Sequence, residues 1–221
     1  MESTMIEPKS TPWKKEEFQY TSHYCEENIY MMCKTMAERH QDNVNHCTVV
    51  FISNPNKAIP IWKQKNASES DGPVVWDYHV ILYYHDYKNR NFYIYDMDTE
   101  LPFPCDATQY VIEAFHPELQ LNEFFQRYFR MVPGLVYLKE FASDRSHMLK
   151  GDGEYIKPPP DYPAIISSTS HDTMNLPDYI DMTQNKISPE KYGIVVDEEQ
   201  FFATIFSQSA ASNRRGTSLY D

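Results

Sequence analysis

VVWDYHVILYY (74–84) and NFYIYDMD (91–98) decide how this chain reads. Both runs are rich in β-branched and aromatic residues, and the polar HDYKNR (85–90) between them suits a hairpin connection, so the pair forms antiparallel strands. A loop centred near Tyr87 and Lys88 pairs positions whose numbers sum to about 175, which sets His79 opposite Asp96 with Cβ atoms roughly 4.5–5.5 Å apart. The same register pairs Ile81 with Ile94 and Tyr83 with Phe92, an apolar face with one polar pair at its end. From the hairpin alone two readings stay open. The pair is a structural hydrogen bond at the sheet margin, as buried polar groups normally are, or it belongs to a reactive site. A register slip of one residue would exchange the faces.

N-terminal to the hairpin, Ile29, Met32, Cys33 and Met36 recur at i, i+3, i+4, i+7, which predicts a helix over 24–39 with Ser22 as N-cap and Glu26 and Glu27 in the first turn. Cys25 falls at the start of that helix, where the dipole and a nearby imidazolium stabilise a thiolate. This favours the reactive reading of His79 and Asp96. Cys33 on the apolar helix face, Cys47 at a strand start and Cys105 after Pro-Phe-Pro read as packing. A metal reading of His40, His46, Cys47 and Cys33 lacks any CxxC or HxxxH spacing, so neither metal nor cofactor is expected.

CTVVFIS (47–53) and AIPIW (58–62), joined by Asn-Pro-Asn-Lys, read as two neighbouring strands. Leu121, Phe124, Phe125, Tyr128 and Val132 suggest a second amphipathic helix over 119–131, packed on the sheet. Residues 142–180, with Gly151-Asp152-Gly153 and Pro158-Pro159-Pro160, read as a long surface excursion, and a short helix follows at 197–206. The expected organisation is a flexible arm over 1–15 with Trp13 docking on the body, one catalytic domain over 16–207, and a disordered tail over 208–221.

The 221 residues are 41% hydrophobic and 14% aromatic, enough to bury a core of ordinary domain size. Lys and Arg number 20 against 32 Asp and Glu, and the net charge of −12 repels a phosphate backbone, so nucleic acid is a poor partner. Neither a signal-like apolar run at the start nor an 18-residue apolar stretch occurs, so no membrane partner is expected. The expectation is an intracellular protein, cytoplasmic or also nuclear, whose four cysteines stay thiols. No heptad or apolar repeat points to self-association, which makes a monomer the default.

The segments Tyr24-Cys25-Glu26-Glu27-Asn28, Trp76-Asp77-Tyr78-His79-Val80 and Tyr95-Asp96-Met97-Asp98-Thr99 closely resemble the protein N-terminal glutamine amidohydrolase family. The likeness extends through PIWKQ (60–64), DGPVVWDYHV (71–80), LPFPC (101–105), FASDRSHM (141–148) and MNLPDYI (174–180). The resemblance implies an α/β (α+β) fold similar to papain-like and transglutaminase-like cysteine enzymes, a mainly antiparallel sheet flanked by helices. It also implies an enzyme that converts an N-terminal glutamine to glutamate with release of ammonia, feeding the N-degron route. The family's catalytic Cys, His and Asp fall on Cys25, His79 and Asp96. Its partners would be proteins or peptides with a free N-terminal Gln.

Reading a chain terminus requires a group that binds the free α-ammonium, and a carboxylate is suited to it. Glu26, Glu27 and Asp77 are the candidates, although the glutamates can equally serve the helix dipole and Asp77 can cap a backbone turn. A thiol peptidase or transglutaminase-like enzyme shares the same residue order, and an acidic module that binds basic N-termini is the non-enzymatic alternative.

Overall fold

In the computed structural model, residues 13–216 are described apart from 40, 70, 171 and 184–187. The strands are β1 (Cys47–Ser53), β2 (Ile59–Ile61), β3 (Val74–Trp76), β4 (Tyr78–Asp86), β5 (Asn91–Tyr95), β6 (Cys105–Asp106), β7 (Tyr128–Pro133) and β8 (Ile194–Asp197). The α-helices are α1 (Cys25–Arg39), α2 (Gln41–Val44), α3 (Ala107–Tyr110), α4 (Gly134–Glu140), α5 (Leu176–Ile180), α6 (Pro189–Tyr192) and α7 (Glu198–Gly216). Six strands form one sheet in the order β6-β5-β4-β1-β7-β8, every neighbouring pair antiparallel, and β2 pairs β3 separately. This is the α+β architecture expected, an antiparallel sheet flanked by helices.

Both faces of the sheet are covered. Ile29, Met32 and Met36 of α1 pack with Phe51, Val80, Leu82, Tyr95 and Tyr137 on one side. Val50, Ile52, Ile81, Ile94, Phe115, Phe129 and Phe201 fill the other, where Phe129 and Phe201 stack with centroids 4.2 Å apart. Burying each such side chain contributes roughly 1.5–3 kcal/mol, so packing rather than propensity holds α1 in place.

Several expectations need correction. The run 74–84 is two strands, because Asp77 breaks it: β3 leaves to pair β2, and β4 enters the main sheet between β1 and β5. Ile59–Ile61 therefore pairs with Val74–Trp76 and not with β1. In the hairpin Leu82 faces Tyr95 and Tyr83 faces Ile94, a register two residues beyond the predicted one. A slip of two preserves the faces, since side chains alternate with period 2.

The predicted helix 119–131 does not form. Glu123–Phe125 is a single 3-10 turn with Phe124 and Phe125 exposed, and the chain then enters β7 between β1 and β8. The buried charge of Arg130 masks that strand in the sequence; its guanidinium is taken up by the Tyr179, Tyr192 and Asp181 carbonyls. Nor does Ser22 cap α1, which begins three residues later at Cys25.

At the chain ends, Trp13 is buried with its backbone N–H on the Tyr95 hydroxyl, and residues 1–12 of the expected arm lie outside the described residues. The last helix outruns the expected 197–206 and continues to Gly216, through most of the expected tail; 217–221 lie outside the described residues. No helix among the described residues is long and apolar enough to cross a membrane.

Candidate active site

The start of α1 is shaped by a tight turn. His23 adopts φ 70°, the Tyr24 N–H bonds the Thr21 carbonyl, and the Asn28 side chain clasps Thr21 through two 2.8 Å hydrogen bonds. The Asn28 N–H to Tyr24 carbonyl bond opens the helix ladder, so the N–H groups of Cys25, Glu26 and Glu27 precede the first intrahelical bond. Cys25 is 9% exposed at this end, its thiol donates to Glu26 Oε2 at 3.7 Å, and it packs in one cluster with Val80, the residue after His79 on β4.

His79 is fully buried, its ring stacked on Trp76 with centroids 4.9 Å apart and planes 20° from parallel. Its Nε2 lies 3.0 Å from Asp96 Oδ1, while Nδ1 is buried without a hydrogen-bond partner. Asp96 follows the end of β5, where the chain turns away to meet residues 63–65. The pair therefore forms beyond the ladder, and not as the directly opposed cross-strand pair that was expected.

Every lone-pair direction of Asp96 is used. Oδ1 also accepts the Asp98 N–H at 2.9 Å, and Oδ2 accepts from Gln64 Nε2 at 3.0 Å and the Tyr110 hydroxyl at 2.7 Å. Burial works against ionisation of Asp96, but the facing His79 charge and these donors win and hold its pKa at about 2. Burial also works against charge on His79; the carboxylate beside it outweighs that and raises its pKa.

Cys25 departs from the sequence expectation of a stabilised thiolate. Burial foremost, then the charges of Glu26 and Asp98, push its thiol well above the ordinary value, and the Val80 N–H offsets only part of this. That direction favours a neutral thiol at rest. Cys33, Cys47 and Cys105 are buried free thiols as expected, and Cys47 donates to the Met36 sulfur and the Asn43 carbonyl rather than joining His46. His40 lies outside the described residues.

A cavity of about 680 Å³ opens at Cys25, and its lining includes Trp76, Asp77, Asp98, His147, Met148, Ile156, Leu176 and Ile180. Of the three carboxylates singled out in the sequence, only Asp77 lines it. Asp77 is exposed, and its Oδ1 accepts the Tyr78 N–H, the backbone cap foreseen as its alternative role. Glu27 is buried and held by Arg145 through contacts of 2.9 to 3.3 Å. Glu26 is equally buried; its Oε2 accepts the Tyr78 hydroxyl at 2.9 Å, and His147 Nε2 stands 3.5 Å from Oε1. Both glutamates thus tie α1 to the loop that carries Arg145 and His147.

Sequence reasoning missed Gln64, Tyr110, Trp76 in its stacking role, and Asp98. Asp98 had a visible signal: it lies two residues after Asp96, at the same strand parity. Among the described residues His79, Asp96 and Asp98 are the one group of three whose ligand atoms all lie within 4.8 Å. Asp96 has already committed both oxygens to four donors, so the chemistry of the set is that of a histidine-orienting network.

Fold and side chains together define an α+β protein in which a helix-start cysteine packs beside a strand whose buried histidine is hydrogen-bonded to an aspartate just past the neighbouring strand. A family model described as N-terminal glutamine amidase matches residues 20–205. A protein N-terminal glutamine amidohydrolase of Danio rerio is 49% identical over 163 residues, covering 74% of this chain and 79% of that protein. Its counterpart in Homo sapiens is 48% identical over 163 residues, covering 74% and 78%. The Drosophila grimshawi protein of the same name is 38% identical over 194 residues, covering 88% and 93%. This chain belongs to the N-terminal glutamine amidase family.

Proposed function

We propose that this protein hydrolyses the side-chain amide of an N-terminal glutamine, giving glutamate and ammonia, with Cys25 as nucleophile, His79 as proton carrier and Asp96 orienting it. The observation that carries the cysteine mechanism is the free Nδ1 of a fully buried histidine whose other nitrogen is fixed by Asp96. That leaves one ring nitrogen for a proton from Cys25, which packs in one cluster with Val80, the residue after His79 on the same strand.

Attack begins from the neutral thiol. As the sulfur bonds the carboxamide carbon, the thiol proton passes to Nδ1 and the carbonyl electrons move onto oxygen, where N–H groups at the start of α1 are available as donors. Collapse breaks the C–N bond, and the imidazolium gives its proton to the departing nitrogen, which leaves as ammonia. A γ-glutamyl thioester remains. Water adds to it while His79 takes a water proton, and the second collapse expels the Cys25 sulfur, which recovers its proton from His79. Asp96 stays ionised throughout, keeps the proton on Nε2 and stabilises each imidazolium.

Mass spectrometry of peptides beginning with Gln, Asn or acetyl-Gln tests this reading. The Gln peptide should gain one mass unit and release ammonia, the acetylated peptide should stay unchanged, and Cys25→Ala should do nothing to either. Main-chain cleavage would point to a peptidase and amine incorporation to a transglutaminase-like enzyme. Equal turnover of internal glutamine would remove the terminus-reading part.

A further inference from the structure

Asp98 lines the cavity and forms no salt bridge among the described residues; His79, with a ring nitrogen within 4.8 Å of its carboxylate, is the ionisable base beside it in the site. Asp98 is 5% exposed and near enough to Cys25 for its charge to act on the thiol. Its Oδ1 accepts the Tyr20 hydroxyl at 2.5 Å, and no hydrogen bond among the described residues reaches Oδ2. The nearby cations do not neutralise it by contact: Lys15 and Lys65 both direct Nζ at the Met97 carbonyl, at 2.9 and 2.7 Å.

The other acids are placed differently. Glu27 is taken by Arg145, Glu26 does not line the cavity, and Asp77 is exposed to screening by solvent. Asp181 also lines the cavity, and its Oδ1 accepts the Thr183 N–H and hydroxyl. A desolvated carboxylate with one oxygen free attracts a cation far more strongly than an exposed one. In glutamine, four bonds of about 1.5 Å separate the α-nitrogen from the carboxamide carbon, a span of roughly 5 Å. A glutamine with its carboxamide at the Cys25 sulfur therefore puts its ammonium within the neighbourhood of Asp98.

We infer that Asp98 binds the α-ammonium of the substrate and is the residue that restricts the reaction to a chain terminus. This rests on the reading under Proposed function and names the amine-binding group within that same site. Tyr20, which donates to the other carboxylate oxygen, holds Asp98 in place.

The test compares wild type and Asp98→Asn on a Gln-initiated peptide and on its desamino analogue, in which a 4-carbamoylbutanoyl group replaces Gln. Removing a charge-assisted hydrogen bond should lower kcat/KM on the Gln peptide by about tenfold to a hundredfold, chiefly through KM. On the desamino analogue, which has no ammonium to lose, the variant's loss should be far smaller than on the Gln peptide, because only the effect of the Asp98 charge on Cys25 and His79 is left. Calorimetry in the Cys25→Ala background gives the same comparison without chemistry: Asp98→Asn should weaken the Gln peptide alone. Equal loss on both ligands, or no loss on either, would overturn this inference while leaving the amidase reading intact. A wild type that released no ammonia from the Gln peptide would overturn both.

Discussion

Asp96→Asn exposes how the buried network works. Asp96 accepts four hydrogen bonds, two on each oxygen, and an asparagine must put its NH2 against one pair of donors. The Oδ2 side can adjust. Gln64 has a buried, unpartnered Oε1 and can turn its amide over to accept, and the Tyr110 hydroxyl can rotate. The Oδ1 side cannot, because the Asp98 backbone N–H is fixed. The amide oxygen should therefore stay on His79, preserving the tautomer while losing the charge.

Asp96 is lowered from 3.8 to about 2, and at about 1.4 kcal/mol per unit the ionised network contributes on the order of 2 kcal/mol. Withdrawn from the imidazolium, this predicts a fall in kcat of up to about 30-fold, far short of the roughly 10⁴-fold that accompanies an inverted tautomer. Without the carboxylate that raises the His79 pKa, the acid limb of the rate profile should move to lower pH. The folded-state pKa of Asp96 is depressed, so its stabilisation is present above about pH 4 and is lost as pH falls towards 2. Ammonia release against pH, with urea midpoints at pH 5 and 2.5, measures both effects. Full activity in the variant would refute the orienting role, and a 10⁴-fold loss would refute the predicted placement of the amide.

Three further substitutions probe the surroundings. Trp76→Leu removes the ring stacked on His79, worth about 1 kcal/mol, and should lower kcat about fivefold, with Trp76→Phe recovering most of it in steady-state assays. Arg145→Ala strands the buried Glu27 charge at a cost of about 3–5 kcal/mol, which should lower Tm by on the order of 10 °C, whereas replacing both partners with Leu should restore most of the loss in thermal melts. Gly193→Ala places a Cβ 2.0 Å from the Met131 carbonyl oxygen at φ 68°, so it should destabilise the β7–β8 junction by more than about 1–3 kcal/mol in denaturant titration. The kcat of the folded fraction should not change.

The parts of the fold that were legible in the sequence are those where one periodicity dominates. α1 shows because Ile29, Met32, Cys33 and Met36 have no competing pattern, and β1, β4 and β5 show because they are continuous β-branched and aromatic runs. β7 was hidden by Arg130, whose burial depends on carbonyls from 49 to 62 residues away that no local pattern reveals. The exposed Phe124 and Phe125 then imitated a helix face. At the site, His79 and Asp96 were found through a register that was off by two, an even number, so the correct faces came with the wrong partners. Gln64, Tyr110 and Trp76 belong to elements that meet only in three dimensions.

The charges around Cys25 also set how the reaction must start. Burial, Glu26 and Asp98 all oppose a resting thiolate, and Asp98 also helps to keep the proton on His79, which must lose it before it can accept one from Cys25. An ammonium bound at Asp98 cancels one of those opposing charges, so the substrate itself should ease that proton loss. The acid limb of kcat reports the complex and that of kcat/KM the free enzyme, so the kcat limb should lie at lower pH. In Asp98→Asn the free enzyme already lacks the opposing charge, and the two limbs should draw together. Coincident limbs in the wild type would mean that the ammonium does not sit beside the thiol, and the negative charge at Asp98 would then need another purpose.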